Sequence, residues 1–580
     1  MNVRAVTIPG LTAISTYRRE WLPKDVVAGL VLASLLVPSG MAYAELAGLP
    51  AITGLYTSIL CLIGYALFGP SRLLVLGPDS ALGPMIAATI LPLMAADGDP
   101  SRAVALASVL ALLVGAFMLL GASAKLGFVA DLLSKPTQIG YMNGLALTIL
   151  VGQLPKLFGF SVDADGLIDE AAGFIRGVAE GETVPASLAI GSVSLVLMFI
   201  MGRWLPKLPG VLIAVVLSMV VAAVFDLAAR GVALVGILPS GLPPFTIPRV
   251  QFSDLPILVG GALGIAVVSL ADTISTSSAF AARTGQEVHA NREMVGLGAA
   301  NLGAGLFQGF PVSTSGSRTA VAEQAGAKTQ LTGVIGAGLI AAMLVFVPGL
   351  LQYLPQPTLA AVVIVASLSL ADIRATARLY RQRRIEFWLS MAAFAGVALI
   401  GVLPGIAIAI ALSILDVFRR TWGPYRTELG RVEGLAGYHD IHEYPEAEQL
   451  PGLVMYRFDG PLIFANARTF RAAIHALART TPKPEWILIT AEPITDIDTT
   501  AGSMVEALEA ELRAEGISLV FAELKDAVRN RIETYELSWT TDPTRFYPTV
   551  GAAVNAFQDR TGGAWGPRSV PAEPSSTDPD

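Results

Sequence analysis

Long apolar runs with few charges fill the first 420 residues of this 580-residue chain and constrain its fold more than any other feature. A helix needs about 20 mostly apolar residues to cross the hydrocarbon core of a bilayer. Only 15% of the residues are charged, whereas soluble domains carry about 25%. This composition excludes a simple soluble enzyme and a disordered protein. It predicts a large membrane domain followed by a small soluble one.

The apolar runs divide into about 14 candidate spans. The uninterrupted candidates are 103–120, 187–202, 209–225, 331–349, 355–371 and 387–415. A second group, which contains glycine, proline or a single charge, comprises 25–42, 52–68, 125–152, 256–280 and 293–307. The 387–415 run breaks at its Leu-Pro-Gly sequence, 403–405, and is interpreted as two short spans. Two further stretches, 77–91 and 313–324, are interpreted as broken half-spans.

Loop charges predict the orientation of these spans, because cytoplasmic loops collect lysine and arginine. Basic residues gather in two connections, at Arg203 and Lys207 and at Arg374, Arg378, Arg381, Arg383 and Arg384. Acidic residues gather in loops of the opposite parity, at Asp97, Asp99, Asp163, Asp165, Asp169, Glu170, Glu180 and Glu182. We therefore expect both termini in the cytoplasm of a plasma-membrane protein, with no cleavable signal peptide.

The two half-spans occupy corresponding positions in the two halves of the membrane domain, and such pairs indicate a transporter's substrate site. Each segment opens a helix whose free N–H groups and partial positive charge favour an anion. The predicted anion contacts are Ser80, Ala81, Ser313, Thr314, Ser315, Gly316, Ser317 and Arg318. Asp79 either caps the first helix or opposes the anion, and Tyr43 could wall the pocket.

Asp272 is the main carboxylate inside a predicted span, where ionisable groups usually serve function. Ser275 and Thr276 follow it by three and four residues, so they share its helix face. A carboxylate with neighbouring hydroxyls can hold Na⁺ or carry a proton, and we predict that Asp272 is the coupling site. Glu45 lies nearer a span end and is interpreted as interfacial.

Residues 421–580 have ordinary soluble composition and read as an alternating β/α unit. Strands are predicted at 453–458, 462–464, 486–491 and 517–521, with helices at 466–478, 499–515, 524–531 and 550–557. The expected organisation is an N-terminal segment (1–24), a membrane domain (25–420), a linker (421–439), a soluble domain (440–560) and a disordered tail (561–580). Asp498 or Thr499 is expected to cap one helix, and Thr499 and Thr500 are candidate phosphorylation sites. The four histidines are too scattered for a zinc site, so no cofactor is expected beyond a coupling Na⁺.

Five segments together resemble the SulP family of anion permeases, and the resemblance covers nearly the whole chain. Residues 37–44 are similar to its first-span motif, with Ser39 where glutamine is usual, and 46–56 continue the match. Residues 69–78 and 311–319 resemble the beginnings of its third and tenth spans. Residues 440–560 resemble the STAS domain that usually follows.

The resemblance implies a seven-plus-seven inverted repeat, a core domain (spans 1–4 and 8–11) that moves against a gate domain like an elevator, and a homodimer. It implies an anion between spans 3 and 10 with a contribution from span 1, which adds Ser39 and Tyr43 to the predicted contacts. In coupled bicarbonate members, an aspartate and a threonine one turn later bind Na⁺. Asp272 and Thr276 fit that pattern.

We therefore expect secondary active transport of an inorganic anion, with sulfate as the first choice. Na⁺-coupled bicarbonate transport is the second, and a dicarboxylate transporter, an anion channel or a membrane sensor stays open. The net charge of −7 gives no reason to expect a nucleic-acid partner. A cytoplasmic protein partner of the STAS domain also stays open, and we expect no enzyme because no nucleophile–base set or phosphate-binding loop is present.

Overall fold

The computed structural model describes residues 9–10, 16–94, 99–162, 164, 166–205, 209–284 and 287–565. The chain divides into two compact units, Met1–Ile414 and Leu415–Asp580. The loop charges predicted at Asp97, Asp163, Asp165 and Lys207 lie outside the described residues. So do most of residues 1–15 and the tail from 566 onward.

The first unit is helical, with one two-residue strand in each half. Its first half contains α1 (Leu22–Leu46), α2 (Ala51–Phe68), β1 (Leu76–Gly77), α3 (Gly83–Ile90), α4 (Pro100–Ser123), α5 (Lys135–Phe158), α6 (Leu167–Glu180), α7 (Pro185–Trp204) and α8 (Gly210–Val224). Its second half contains α9 (Leu255–Thr284), α10 (Ala290–Leu306), β2 (Ser313–Thr314), α11 (Gly316–Gln324), α12 (Leu331–Phe346), α13 (Gln356–Leu370), α14 (Ile373–Gln382), α15 (Arg384–Ala395) and α16 (Val402–Trp422). Among the described residues, seven helices are long and apolar enough to span a bilayer, and α3, α8 and α12 are shorter apolar helices.

The order of elements repeats after α8. A short strand followed by a short helix stands third in each half, as β1–α3 and as β2–α11. Among the described residues, each half contains eight helices, of which seven are spans and one, α6 or α14, connects two spans. Because the number of spans in a repeat is odd, the second repeat begins at the opposite membrane face. We call the face where α1 begins face 1 and the face where it ends face 2. The helix α3 therefore runs toward face 2 and α11 toward face 1.

Helix packing separates the predicted core from the gate. In the core, α10 packs on α2 and α4, and α12 packs on α1 and α2. In the gate, α5 packs on α13 and α15, and α7 packs on α8 and α13. Contacts of α13 and α8 with α1 join the two groups. The large apolar core of this unit runs through both of them.

Two glycines allow α1 and α2 to cross in close contact. A Cβ on Gly54 would stand 1.9 Å from the carbonyl oxygen of Gly40, which leaves no room for any side chain. Small residues at a helix crossing let the two backbones approach closely. Helix association in lipid depends on this van der Waals packing, because the hydrophobic effect does not drive it there.

Three predicted boundaries differ from the structure. The predicted 125–152 span is replaced by a short 3₁₀ segment, Leu126–Leu132, and by α5. The helix α5 starts later than predicted because Pro136 suits a first helical turn. It ends where Gly159 adopts a φ of 91°. The break predicted at 403–405 falls at Gly401, with a φ of 122°, and Pro404 lies in the first turn of α16. Residues 167–180, expected as a loop, form α6.

The second unit is a six-stranded sheet with helices on both faces. Its elements are β3 (Arg426–Gly430), β4 (His439–Asp440), β5 (Leu453–Phe458), α17 (Ala467–Ala478), β6 (Trp486–Thr490), α18 (Thr499–Ala514), β7 (Ser518–Ala522), α19 (Asp526–Glu533), β8 (Phe546–Tyr547) and α20 (Val550–Thr561). The strand order is β4-β3-β5-β6-β7-β8, parallel from β5 to β8 and antiparallel at β3.

Alternate side chains of the central strands fill the two faces of this sheet. Ile487 and Phe521 pack with α17, α18 and α19, whereas Trp486 and Leu488 pack with α20. Two sequence predictions are wrong here. Residues 462–464 form no strand, since only Leu462 makes a bridge, to Ile497. The predicted linker contains β3, which pairs with β5.

Candidate functional site

The two broken segments meet as a pair of antiparallel strands between the membrane faces. Leu76 lies opposite Thr314 and Gly77 opposite Ser313. The N–H of Ser315 donates to the carbonyl of Val75 at 3.0 Å, and the N–H of Val75 donates to Thr319 Oγ1 at 3.1 Å. The unwound backbone is thus satisfied by protein, as membrane depth requires.

The two helices that follow the strands begin differently. Asp79 accepts a hydrogen bond at 2.8 Å from the N–H of Ala81 within the turn that leads into α3. The N-cap of α3 itself is Leu82, without a side-chain cap, so Asp79 does not take the helix-capping role considered for it. Ser315 is the N-cap of α11 and accepts from the N–H of Arg318 at 3.5 Å. The positive ends of α3 and α11 therefore both point toward the strand pair.

Arg318 supplies a full positive charge next to these helix starts. The residue is 6% exposed, and its Nη1 lies 3.2 Å from where a Cβ on Gly77 would stand. None of its three guanidinium nitrogens has a hydrogen-bond partner among the described residues. Its nearest carboxylate oxygen is Asp79 Oδ2, at 3.9 Å from Nη2. A buried guanidinium with open donors is costly unless a ligand accepts them.

Asp272 brings a second carboxylate to the same region. It lies on α9 within electrostatic reach of Asp79. Within the described part of the chain, no hydrogen bond or ion pair to another side chain is recorded for Asp272. With both carboxylates ionised, Asp79, Asp272 and Arg318 carry a net charge of about −1 before any ligand arrives.

The predicted anion contacts of the first half lie near Asp79, Asp272 and Arg318, but they differ in burial and in hydrogen bonding. Ser80 and Ala81 are buried at the start of α3. Tyr43 is half-buried on α1, within reach of Arg318, Asp79 and Ser80. Ser39 is also half-buried, and its hydroxyl donates to the carbonyl of Leu35 at 2.7 Å, within its own helix.

The predicted contacts of the second half divide into bonded and open hydroxyls. Thr314 shares a 2.6 Å hydrogen bond with Thr273 of α9. The hydroxyl of Ser313 is buried without a partner among the described residues. The hydroxyls of Ser315 and Ser317 lie 3.2 Å apart, and Ser317 is exposed.

The predicted cation ligands lie on the helix that borders α11. Thr276 Oγ1 is 3.7 Å from where a Cβ on Gly316 would stand, so this hydroxyl lies beside the first residue of α11. Ser275 is exposed and Asp272 is half-buried. Asp272 and Thr276 thus lie one turn apart beside the strand pair, where a Na⁺ would find a carboxylate and a hydroxyl oxygen.

Two residues that sequence reasoning missed support this site. Asn301 of α10 pairs both backbone groups of Val312, accepting from its N–H at 3.0 Å and donating to its carbonyl at 3.3 Å. An amide in the middle of an apolar span is a usable signal for this role. Tyr141 of α5 is fully buried, and its hydroxyl lies near Gln138 and within electrostatic reach of Asp79 and Asp272. No local pattern distinguishes it from a packing aromatic.

Glu45 is part of a separate cavity. It lines a space of about 580 Å³ at face 2, together with Lys156, Gln308 and Gln356. The carboxylate is half-buried, one residue before the end of α1. The cavity is lined by the ends of α1 and α5 and by the starts of α2 and α4.

In the second unit, Asp498 caps α18 by accepting from the N–H of Ala501 at 2.8 Å. Thr499 and Thr500 are exposed in the first turn of that helix. No group of three or more metal-ligating side chains occurs among the described residues.

Comparison with known proteins identifies the family. The sulfate permease family profile matches residues 22–393, and the STAS domain profile matches residues 444–553. A probable sulfate transporter of Mycobacterium tuberculosis, MT1781, is 43% identical over 553 residues, which cover 95% of this chain and 98% of the relative. The probable sulfate transporter 4.2 of Arabidopsis thaliana is 31% identical over 530 residues, which cover 88% of this chain and 77% of the relative.

Two solved structures share the fold. The murine Slc26a9 anion transporter in its inward-facing state aligns with a TM-score of 0.87 at 23% identity, covering 95% of this chain and 94% of that one. The transmembrane domain of the cyanobacterial bicarbonate transporter BicA aligns with a TM-score of 0.58 at 20% identity, covering 69% and 98%. The profile match spans more than half of the chain, so this chain belongs to the sulfate permease family: it is a multi-pass membrane transporter of anions with a C-terminal STAS domain, not an enzyme.

Proposed function

We propose that this protein is a secondary active transporter that moves sulfate into the cell together with a cation. The observation that carries the proposal is the buried guanidinium of Arg318, whose donors have no hydrogen-bond partner among the described residues and lie beside the starts of α3 and α11. An oxyanion placed there would accept from the guanidinium and from the helix N–H groups. The relatives described as sulfate transporters favour sulfate among the inorganic oxyanions.

The charges around the site favour cation coupling. Asp79 and Asp272 outnumber Arg318, so a divalent anion would enter a region that is already negative. A proton on Asp272, or a Na⁺ held by Asp272 and Thr276, would cancel one charge and admit the anion. The driving ion would thereby bind more tightly when the anion is present, which is the reciprocity that symport needs.

The division into core and gate supports an elevator-like cycle. The strand pair, Arg318 and Asp272 all belong to core elements, whereas Tyr141 approaches them from the gate helix α5. Movement of the core against the gate would carry the whole site past Tyr141. We further propose that the transporter works as a homodimer in the plasma membrane, with both termini and the STAS domain in the cytoplasm.

Uptake by the purified full chain in proteoliposomes tests this function. Labelled sulfate and labelled bicarbonate are offered separately, with a Na⁺ gradient alone or an H⁺ gradient alone. We expect concentrative sulfate uptake under one of the two gradients. Concentrative bicarbonate uptake with Na⁺ and none of sulfate would favour the bicarbonate alternative instead, and a dicarboxylate added as competitor tests the third substrate class. Flux that never exceeds equilibrium would identify a channel and contradict active transport.

A further inference from the structure

The helices α6 and α14 connect corresponding spans of the two repeats, at opposite membrane faces. Each presents exposed apolar positions at the spacing i, i+4, i+7. In α6 these are Ile168, Ala172 and Ile175, and in α14 they are Ile373, Ala377 and Tyr380. Side chains at this spacing share one helix face. Both helices therefore show an apolar stripe to their surroundings at the level of the membrane surface.

The neighbouring stripe is where the two helices differ. In α14 it consists of Arg374, Arg378 and Arg381, and the corresponding positions of α6 are Asp169, Gly173 and Arg176. Arg383 and Arg384 extend the basic surface of α14 into the start of α15. The helix α14 thus carries a concentrated positive charge, and its counterpart α6 does not.

The three arginines of the α14 stripe are exposed, and none of the carboxylates that the structure describes pairs with them. Ion pairing in this region joins Arg383 to Glu386 at 3.0 Å, and Arg384 lies over the ring of Tyr380 at 5.8 Å. No ion pair to a described carboxylate is recorded for Arg374, Arg378 or Arg381. Three fixed cations on one helix face repel one another unless anions screen them.

Aromatic side chains next to the stripe mark the depth of this helix. Tyr380, Phe387 and Trp388 form a chain of edge contacts, with ring centroids 5.1 and 5.3 Å apart. Trp388 is 65% exposed and Tyr380 is 51% exposed. Exposed tryptophan and tyrosine beside a span are typical of the headgroup level of a bilayer.

We propose that the arginine stripe of α14 binds the phosphate groups of anionic phospholipids at face 1. An amphipathic helix with a basic stripe lies in the interface with its apolar side among the acyl chains. That placement buries Ile373, Ala377 and Tyr380 and brings the arginine forks to the level of lipid phosphates, which they match in geometry. A soluble acidic ligand would leave the apolar stripe in water, so a lipid surface satisfies both stripes at once.

Bound lipid would act directly on the gate. Asn143 of α5 accepts from the N–H of Asp372 at 2.7 Å and donates to Thr376 at 2.9 Å, so it ties the start of α14 to α5. Tyr141, which lies within electrostatic reach of the site carboxylates, precedes Asn143 by two residues on that helix. Lipid held at α14 would therefore steady the gate helix that borders the substrate.

Native mass spectrometry of the full chain in detergent tests the binding, with phosphatidylglycerol and phosphatidylcholine of identical acyl chains as probes. We expect phosphatidylglycerol to bind more tightly. The variant R374Q/R378Q/R381Q should lose this preference, by about fivefold for each arginine removed. The variant R374K/R378K/R381K keeps the charge and should retain most of it. R176Q on α6 is the matched control and should leave the preference unchanged.

Equal binding of the two lipids by the unmodified protein would overturn the proposal. So would a glutamine variant that keeps its thermal unfolding transition and its full preference for phosphatidylglycerol. If that variant does not fold, the salt dependence of lipid binding by the unmodified protein tests the proposal. A preference carried by exposed arginines falls as ionic strength rises from about 0.1 to 1 M, and a preference that does not fall contradicts the assignment.

Discussion

Arg318 is the residue on which anion binding depends, because a charge inside a membrane domain persists only with compensation. Asp79 offers part of that compensation from 3.9 Å, a distance that allows attraction without a hydrogen bond. The carboxylate meanwhile accepts a hydrogen bond from the N–H of Ala81 in the turn before α3. The guanidinium donors thus stay available for a substrate, whose arrival would complete their hydrogen bonding.

Replacing Arg318 with lysine should show that the fork matters beyond its charge. A lysine keeps the positive charge but loses the paired donors, and a charged hydrogen bond contributes about 1.5–3 kcal/mol. We expect the Kd for sulfate, measured by calorimetry on the purified protein, to rise by roughly 10- to 100-fold.

Arg292→Lys, at an exposed position near the start of α10, is the matched control for that experiment and should leave the Kd unchanged. Wild-type affinity in Arg318→Lys would show that the guanidinium does not touch the anion.

Asp272 is expected to carry the coupling ion. The variant Asp272→Asn keeps the shape of the side chain but can neither take up a proton at neutral pH nor neutralise Na⁺. We expect the protein to fold while gradient-driven sulfate uptake in proteoliposomes falls to the level of passive exchange.

Asp226→Asn, at an exposed position with a φ of 44° that asparagine tolerates, serves as the control for the coupling test. Full concentrative uptake by Asp272→Asn would refute the role of this carboxylate.

At the scale of elements, the crossing of α1 and α2 illustrates how little space the core leaves. The variant Gly54→Ala would place a methyl group 1.9 Å from the carbonyl of Gly40. The helices would have to separate, and we expect a large fall in the thermal unfolding midpoint in detergent, accompanied by aggregation.

Gly338→Ala is the matched control for the crossing, because nothing lies within 4 Å of the added methyl group in α12. Alanine is favoured over glycine within a helix by up to about 1 kcal/mol, so this variant should keep or raise the midpoint. Equal effects of the two substitutions would argue against close packing as the cause.

The β3–β4 hairpin provides a pH-dependent element in the soluble unit. Burial raises the pKa of Asp440, but hydrogen bonds from Thr427, Tyr425 and His442 outweigh burial and hold this pKa well below its usual range. The unfolded value is about 3.9. Asp440 therefore stabilises the hairpin above about pH 4, and that stabilisation is lost as the pH falls through the lower folded value.

Hydrogen exchange of residues 426–442, corrected for intrinsic rates, measures this contribution. We expect Asp440→Asn to exchange faster than the unmodified chain at pH 7, with the difference shrinking below about pH 4. Asp526→Asn, at an exposed position on α19, should match the unmodified chain throughout. A difference between the Asp440 variant and the unmodified chain that is as large at pH 2 as at pH 7 would contradict the pKa argument.

The sequence predicted elements well wherever hydropathy alone decides them. Apolar runs of the right length became helices, and the two proline- and glycine-interrupted segments became the paired strands β1 and β2. Predictions failed where tertiary contacts decide the outcome. Residues 167–180 form a helix that packs on α5, where Phe174 contacts Phe158, and charge counting in loops cannot reveal such a contact. The strand β3 was hidden in the linker, since its pairing with β5 is non-local.

The site was predictable in its backbone but not in its surroundings. Glycine, proline and hydroxyl residues located the strand pair and Arg318. They could not show that Thr314 is already bonded to Thr273 or that the hydroxyl of Ser39 is turned toward its own helix. The approach of Tyr141 depends on how the gate packs against the core, which no local pattern encodes.

At the scale of the whole molecule, an elevator-like cycle should expose one core residue alternately to the two sides. The chain has a single cysteine, Cys61, which is fully buried, so engineered thiols can be followed without background. We expect Ser317→Cys, at an exposed position beside the site, to react with a membrane-impermeant thiol reagent added at face 1. Saturating sulfate should slow the reaction several-fold.

Leu120→Cys, on the exposed surface of α4, is the control for this labelling and should be indifferent to sulfate. A labelling rate at position 317 that sulfate leaves unchanged would place this residue away from the substrate path.

The matched helices α6 and α14 have a consequence for biogenesis. A chain built from two copies of one motif, related by inversion, can in principle insert either way up. Its hydrophobic pattern is nearly the same in both orientations, so the orientation depends on a few cations in short connections. Moving the arginines from α14 to the corresponding positions of α6 would then yield upside-down molecules, whose STAS domain would have to be translocated across the membrane.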